Sequence, residues 1–309
     1  MKISAVVVTY NRKQLLVECI EALLKQTCPL DEIVVLDNAS TDGTNQTLQE
    51  IGILSDARVK YLLMKKNTGG SGGFYYGSKQ AYQDGADWIW MMDDDCIPLN
   101  TALEELVRAS KAVEASFFHS VILNEQGDAL LSCGLQNFGE SVAWLDQGLI
   151  RVCWAPFVSF FVNRNAIEKC GLPYKNYFIY GDDAEYSHRL IQYYGPGYLV
   201  GKSKAVHMAG EASSPWDSLD TERIKRGHYL VRNALININE YGSLKDKTKK
   251  YISNLIFAFR LLTGKRKKRF LKIKQIIHGT WEYWIGNYDR RAFKKRFENH
   301  KMSDEMDVQ

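Results

Sequence analysis

The chain has 309 residues, 45% hydrophobic and 25% charged, the balance of a globular protein with length for one large domain or two modest ones. No stretch approaches the ~20 apolar residues of a spanning helix, and MKISAVVVTYNRK at the start reads as a strand, not a secretion signal. Six scattered cysteines without a C-x-x-C pair argue against a disulfide scaffold and a cysteine zinc site, so a cytoplasmic enzyme is expected. The net charge of +4 is unevenly spread: residues 1–244 carry 22 Lys/Arg against 29 Asp/Glu, whereas residues 245–301 carry 18 against 4. An acidic body with a basic C-terminal region points to an anionic partner, a membrane or a nucleic acid.

Ile3 to Thr9, rich in β-branched residues, suits a strand covered on both faces. A helix fits Gln14 to Gln26, where Leu15, Leu16, Cys19, Ile20, Leu23 and Leu24 recur at helical spacing. Glu32 to Asp37 is a second strand, and Ser40 or Thr41 is placed to cap a helix through Thr44 to Ile51. Val59 to Met64 is a third strand, Gly73 to Asp84 a helix, Asp87 to Met92 a fourth strand and Leu99 to Glu114 a helix. This alternation predicts an α/β fold, a mostly parallel sheet with helices on both faces. After less regular segments, Asp182-Asp183-Ala184-Glu185 opens a helix through Tyr194, and beyond Ser218 the pattern becomes helical and basic.

Ligands of such sheets bind at the carboxyl ends of the strands. The residues there are Thr9-Tyr10-Asn11-Arg12, Asp37-Asn38-Ala39-Ser40, Asn67-Thr68-Gly69-Gly70 and Asp93-Asp94-Asp95. Three adjacent aspartates repel one another unless a cation neutralises them, and Mg²⁺ or Mn²⁺ takes such oxygen ligands. In extended backbone Asp93 and Asp95 share one side and Asp94 takes the other. The run Asn67 to Phe74, with Gly69, Gly70, Gly72 and Gly73, lets backbone N–H groups approach an anion at a helix start. Asp37 suits a base or ribose, or a helix cap, and Tyr10 offers a stacking face. Among Asp182, Asp183 and Glu185, helix capping explains one carboxylate and a general base for a hydroxyl another. His207, after the strand-like Ser203 to Val206, is a candidate third metal ligand. Trp154 is a candidate sugar platform, while Phe157, Phe160 and Phe161 read as packing.

VVVTYNR at Val6 to Arg12, VLDNASTDGT at Val35 to Thr44 and the aspartate triplet resemble inverting family-two glycosyltransferases of the A-type fold. NTGGSGGF, WMMDDDCIP, FIYGDDAEYSHR and His207-Met208-Ala209-Gly210 resemble the galactofuranosyltransferase and rhamnosyltransferase-like branch. The resemblance implies a nucleotide-sugar donor, UDP-galactofuranose first and dTDP-rhamnose second, held by Thr9, Tyr10, Arg12 and Asp37. Asn67, Gly69, Gly70, Gly72, Gly73 and Asp94 join that donor set. It implies Mn²⁺ or Mg²⁺ on Asp93, Asp95 and His207, Asp183 as catalytic base, and Trp154, Asp182 and Glu185 at a glycan or polyprenyl-linked acceptor. The large mycobacterial galactan polymerases of this branch carry an N-terminal β-domain and an extended C-terminal region that do not match here, so addition of one or a few sugars is expected. A sugar nucleotidyltransferase would place its Gly-rich loop after the first strand, where Thr9-Tyr10-Asn11 stands. A non-enzymatic anionic-surface binder leaves the aspartates unexplained.

The resemblance covers residues 1–240, read as the catalytic domain, with 241–309 a basic helical extension. There Ile252, Leu255, Ile256, Phe259 and Leu262 recur at helical spacing. They are followed by Lys265-Arg266-Lys267-Lys268-Arg269 and the aromatic Trp281, Tyr283, Trp284 and Tyr288. Two readings stand: helices packed on the domain, or an element lying on the anionic inner face of the plasma membrane. Nothing in it resembles a base-reading motif, so no nucleic-acid partner is expected.

Overall fold

The computed structural model describes residues 1–130, 133–135, 139, 144–208 and 214–286. Ala209, Gly210 and Tyr288, and residues 287–309 of the extension, lie outside the described residues. Strand β1 (Ile3–Thr9) is buried along its whole length. It lies parallel between β2 (Glu32–Asp37) and β4 (Trp88–Asp93), with Val7 opposite both Val35 and Met92. Side chains alternate across a strand, so β1 feeds two cores. Ile3, Ala5 and Val7 pack with Leu16, Cys19, Ile20 and Leu23 of α1 (Lys13–Leu24) on one face. Val6 and Val8 pack with Phe74 of α3 (Gly69–Gln83) on the other. The expected helices on both faces result from that alternation.

Strand β3 (Val59–Leu63) adds to β2, preceded by the short α2 (Thr44–Glu50). After β4 come β5 (Cys96–Pro98), α4 (Ala102–Ala112), β6 (Phe117–Leu123), β7 (Gly134–Leu135), β8 (Leu149–Trp154), β9 (Phe160–Asn163) and α5 (Arg164–Cys170). Next are α6 (Asp182–Tyr193) and β10 (Gly197–His207). The sheet runs β3-β2-β1-β4-β9-β6-β10-β8-β7, with β5 pairing β10. Parallel pairing holds for β3 through β4 and for β6 with β10. The second half is mixed, because β9 returns antiparallel between β4 and β6, and β8 runs antiparallel to β10. The parallel sheet expected from the sequence is thus continuous from β3 to β4 and returns at β6 with β10, with antiparallel strands set between and beyond. Phe157, Phe160 and Phe161 are buried, as packing residues should be.

The basic region forms α7 (Thr221–Lys225), α8 (Gly227–Tyr241), α9 (Leu244–Thr263) and α10 (Arg269–Ile285). A third core joins Tyr174 and Tyr177 to Val231, Leu235 and Ile236 of α8, Leu261 of α9, and Ile276 and Tyr283 of α10. These helices thus pack on the body through α8. A Cβ on Gly279 would lie 2.3 Å from the His228 carbonyl, so only glycine allows α10 and α8 to cross this closely. Their outer faces stay uncovered: Leu255, Phe259, Phe270, Ile277, Trp281 and Trp284 are all exposed.

Candidate active site

Asp93 ends β4, but Asp94 and Asp95 turn out of the strand, so the extended alternation expected for the triplet does not apply. Both instead face Arg12 from the end of β1. Its Nη1 donates to Asp95 Oδ2 at 2.6 Å and Asp94 Oδ1 at 3.2 Å, while Thr9 Oγ1 donates to Asp94 Oδ2 at 2.7 Å. Burial pushes Asp94 up to about 6 despite Arg12 and Thr9. Asp93 is driven well above the usual carboxylate range by burial and then by the charges of Asp95 and Asp94. Burial acts the same way on Asp95, but His207 and Arg12 outweigh it and hold that carboxyl low. His207 ends β10 opposite Cys96, and its Nε2 lies 3.3 Å from Asp95 Oδ1. That oxygen is buried, with the imidazole as its polar neighbour.

The glycine run is itself the first turn of α3, so the helix starts at Gly69, earlier than the expected Gly73. Buried Asn38 holds it to the end of β2: Nδ2 donates to the Gly69 carbonyl at 2.8 Å, and Oδ1 accepts from Thr68 N and Oγ1 at 3.1 and 2.8 Å. Gly69 has φ +74°, and a Cβ there would sit 2.1 Å from the Phe178 carbonyl oxygen. No other residue fits. A Cβ on Gly72 or Gly73 would strike Thr68 or Val8, so these glycines seat the helix closely there. Asp37 is also spent locally, accepting from Tyr61 Oη at 2.5 Å and Ser40 N at 2.7 Å. Neither Ser40 nor Thr41 caps α2, whose cap is Gly43; the Ser40 hydroxyl accepts from Asn11 N instead.

The segment before α6 is strained, with positive φ at Phe178, Tyr180 and Gly181. Strain persists only where the surroundings over-determine it. Here Asn233 of α8 shares its amide protons among the carbonyls of Tyr177, Ile179 and Tyr180 at 3.1, 2.9 and 2.7 Å. Asn237 Nδ2 donates to the Gly181 carbonyl at 2.8 Å. The loop delivers Asp182 and Asp183 to the first turn of α6, near enough that Asp182 contributes to the upward shift of Asp93. Asp183 is partly buried, and burial with the neighbouring Asp182 charge pushes it up to about 7. Burial also raises Asp182.

Glu185 corrects the expectation of an acceptor contact. It is fully buried and accepts from Arg189 Nε at 2.9 Å and Nη2 at 2.8 Å, and from Tyr241 Oη at 2.6 Å. Arg189 in turn donates to the Cys170 carbonyl at 2.6 Å. Removing one partner of such a buried pair costs ~3–5 kcal/mol, so Glu185 holds α6 in place. Trp154 ends β8 beside α6, and the next residue ties the two together: Ala155 N donates to Ser187 Oγ at 3.1 Å.

A cleft of about 400 Å³ is lined by Thr9, Tyr10, Arg12, Asn67, Gly69, Gly70, Asp93 and Asp94, together with Val8, Asn11, Asn38, Phe178, Ile179 and Arg226. Small-molecule sites have this size. Asp95 adjoins it through Arg12, and His207 through Asp95; Asp37, Gly72, Gly73, Trp154, Asp182, Asp183 and Glu185 are outside its lining, with Asp183 four residues beyond the lining residue Ile179. Sequence reasoning placed Asn38 at the strand ends without giving it a role, and missed Phe178 and Arg226 as cleft residues; the only signal for Arg226 was its basic neighbourhood, Arg223-Ile224-Lys225-Arg226. A buried carboxylate oxygen of Asp95 facing an imidazole suits a divalent cation. Asp93, Asp95 and His207 do not, however, form a set with all ligand atoms within 4.8 Å; among the described residues, His228, His278 and Glu282 do.

The model of Glycosyl transferase family 2 matches residues 4–132, which contain β1 through β6 and the cleft-lining ends of β1 and β4. This stretch is similar to a glycosyl transferase family 2 domain. The chain is 26% identical over 204 residues to galactofuranosyltransferase GlfT1 of Mycolicibacterium smegmatis, covering 62% of this chain and 65% of that one. It thus spans slightly under two thirds of that relative. Over 128 residues it is 30% identical to the GalNAc(5)-diNAcBac-PP-undecaprenol beta-1,3-glucosyltransferase of Campylobacter jejuni, 41% of this chain and 40% of that protein. Most of the chain shares its fold with GalNAc-T7 solved with UDP, GalNAc and Mn²⁺, at TM-score 0.58 and 17% identity over 81% of this chain and 54% of that one. S. aureus TarS 1–349 in complex with UDP superposes at TM-score 0.54 and 14% identity over 94% and 93% of the two chains. The fold is the A-type glycosyltransferase fold expected from the motifs.

Proposed function

We propose that this chain is an inverting glycosyltransferase that moves a sugar, galactofuranose first, from a UDP-linked donor to a hydroxyl of a lipid-linked glycan. The observation that carries the reading is Asp183: a partly buried carboxyl raised to about 7, at a helix start four residues after the cleft residue Ile179. A sugar hydroxyl is a poor nucleophile, and a base with pKa near the working pH removes its proton best. Asp183 takes that proton as the hydroxyl oxygen bonds to the anomeric carbon; the bond to the diphosphate oxygen breaks, and its electrons leave with UDP. One displacement inverts the anomeric centre, and no carboxylate acts as covalent nucleophile, unlike retaining glycosidases. Arg12, Arg226 and the N–H groups opening α3 face the growing charge of the leaving diphosphate. Asp95 and His207, with Asp93 alongside, would hold Mn²⁺ or Mg²⁺, which when bound neutralises that same charge. Tyr10, exposed in the cleft wall, suits stacking on the base. The GlfT1 similarity supports galactofuranose as the sugar. In a competing panel with dTDP-rhamnose, UDP-galactopyranose and UDP-glucose, UDP-galactofuranose is expected to be consumed first; preference for another donor would overturn the sugar assignment.

The acceptor is proposed to lie at an anionic membrane surface. No helix among the described residues is long and apolar enough to cross a membrane. The support is the outward face of α9 and α10, where Phe259, Trp281 and Trp284 are 64%, 62% and 61% exposed, next to Lys265–Arg269. Each Lys or Arg near such a surface contributes ~1 kcal/mol. Because Leu261, Ile276 and Tyr283 belong to the third core, removing these helices would damage the body, and substitutions at exposed positions are the sound probe. The intact chain is expected to sediment with phosphatidylglycerol vesicles at low salt, and W281S/W284S to sediment far less. Equal sedimentation of both proteins, or of neither, would contradict membrane docking.

A further inference from the structure

We propose that His228, His278 and Glu282 form a binding site for a transition-metal ion of the zinc class, a clip fastening α10 to α8 apart from the cleft. His278 and Glu282 stand four residues apart on α10, which places them on one face. His228 stands across from them near the start of α8, where Gly279 lets the two helices approach. The two imidazole rings lie 4.6 Å apart, and one ligand atom from each of the three residues falls within 4.8 Å of the others.

The protonation pattern is that of ligands. His228 Nδ1 is 2.6 Å from the Lys225 carbonyl, which only accepts, so Nδ1 carries the proton and the neutral ring keeps a bare lone pair on Nε2. A backbone carbonyl on the distal nitrogen is how metal-binding histidines are oriented. Its Nε2 faces Glu282 Oε2 at 3.8 Å, and His278 Nε2 faces Oε1 at 3.7 Å. Both separations exceed a hydrogen bond, and Oε2 is buried without any hydrogen-bond partner. A lone pair set against a carboxylate oxygen calls for a cation between them. Ligand atoms ~2.0–2.2 Å from a tetrahedral zinc ion stand about 3.4 Å apart, close to the spacing seen. Arg232 Nη1 also approaches Glu282 Oε2, but at 3.9 Å, while its Nη2 donates to the carbonyls of Asn176 and Tyr177. Two imidazoles and one carboxylate favour zinc, nickel or cobalt over magnesium, and the half-exposed His278 leaves the site open to solvent. Tyr229, next to His228, stacks on the cleft residue Phe178 at 4.8 Å, so the clip would also steady that cleft wall.

The test is Co²⁺ titration of the chelator-stripped full chain, read by visible absorption, with circular dichroism to confirm the fold of each variant. The expected result is a stoichiometric tetrahedral signal, displaced by Zn²⁺, retained in D95N, and weakened at least ~10-fold in affinity in H278A and in E282Q. Absence of the signal in the unaltered chain, or its persistence in both H278A and E282Q, would overturn the site. So would its loss in D95N alone, which would assign the ion to the cleft. None of these readouts depends on sugar transfer, so they stand or fall apart from the proposed function.

Discussion

Asp183→Asn is expected to lower sugar transfer by ~10²–10⁴-fold, the range of a positioned general base, while UDP affinity changes little. The asparagine keeps the shape of the first turn of α6 and can still accept from Ala184 N, as Asp183 Oδ1 does at 2.7 Å. What it loses is the ability to take a proton. Asp182→Asn should cost less, since that side chain is buried and acts by raising Asp183. The sign of the pH dependence comes from the role: a base works deprotonated. With Asp183 raised to about 7, kcat/KM should climb as pH rises through that value and level off above it. Initial rates across pH 5 to 9 would show this limb. A near-normal D183N enzyme, or a rate already flat above the ordinary carboxylate range of ~4, would remove Asp183 from the mechanism.

The second large effect concerns the cation. Transfer is expected to stop in excess chelator and to return on addition of Mn²⁺ or Mg²⁺, because several kcal/mol of charge stabilisation, ~10²-fold or more in rate, would be withdrawn. Asp95→Asn should raise the Mn²⁺ concentration needed for half-maximal rate, and His207→Ala should do the same. Asp95 has a second task, since Arg12 leans on it at 2.6 Å, so D95N is also expected to weaken UDP binding. H207A separates the two effects, as no Arg12 contact is lost. Full transfer in chelator would sink the cation assignment and leave Arg12 and Arg226 to face the diphosphate alone.

The N-terminal half of the fold was legible because its signals are local. Apolar runs such as Ala5 to Val8 and Trp88 to Met92 are continuous, and each ends in polar residues that line or adjoin the cleft. Local rules misled where tertiary packing decides. Glycine disfavours helix, which hid the start of α3 at Gly69, yet Gly72 and Gly73 are what allow the helix to lie against Thr68 and Val8. The aspartate triplet was read as extended, but Arg12 draws Asp94 and Asp95 together through a turn. Glu185 had a readable signal, Arg189 four residues on, that marks a pair along one helix face. Asn38 was legible only as a strand-end residue and Arg226 only as part of a basic run, while Asn233 had no signal, since it meets its partners across more than 50 residues of chain.

Glycosyl transfer itself is tested most directly by incubating the chain with UDP-galactofuranose, Mn²⁺ and a synthetic polyprenyl-linked acceptor, and monitoring UDP release with the anomeric configuration of the product by NMR. The expected result is UDP released in step with a new glycosidic bond of inverted configuration. Release of pyrophosphate, retention of configuration, or no consumption of any nucleotide sugar would contradict it.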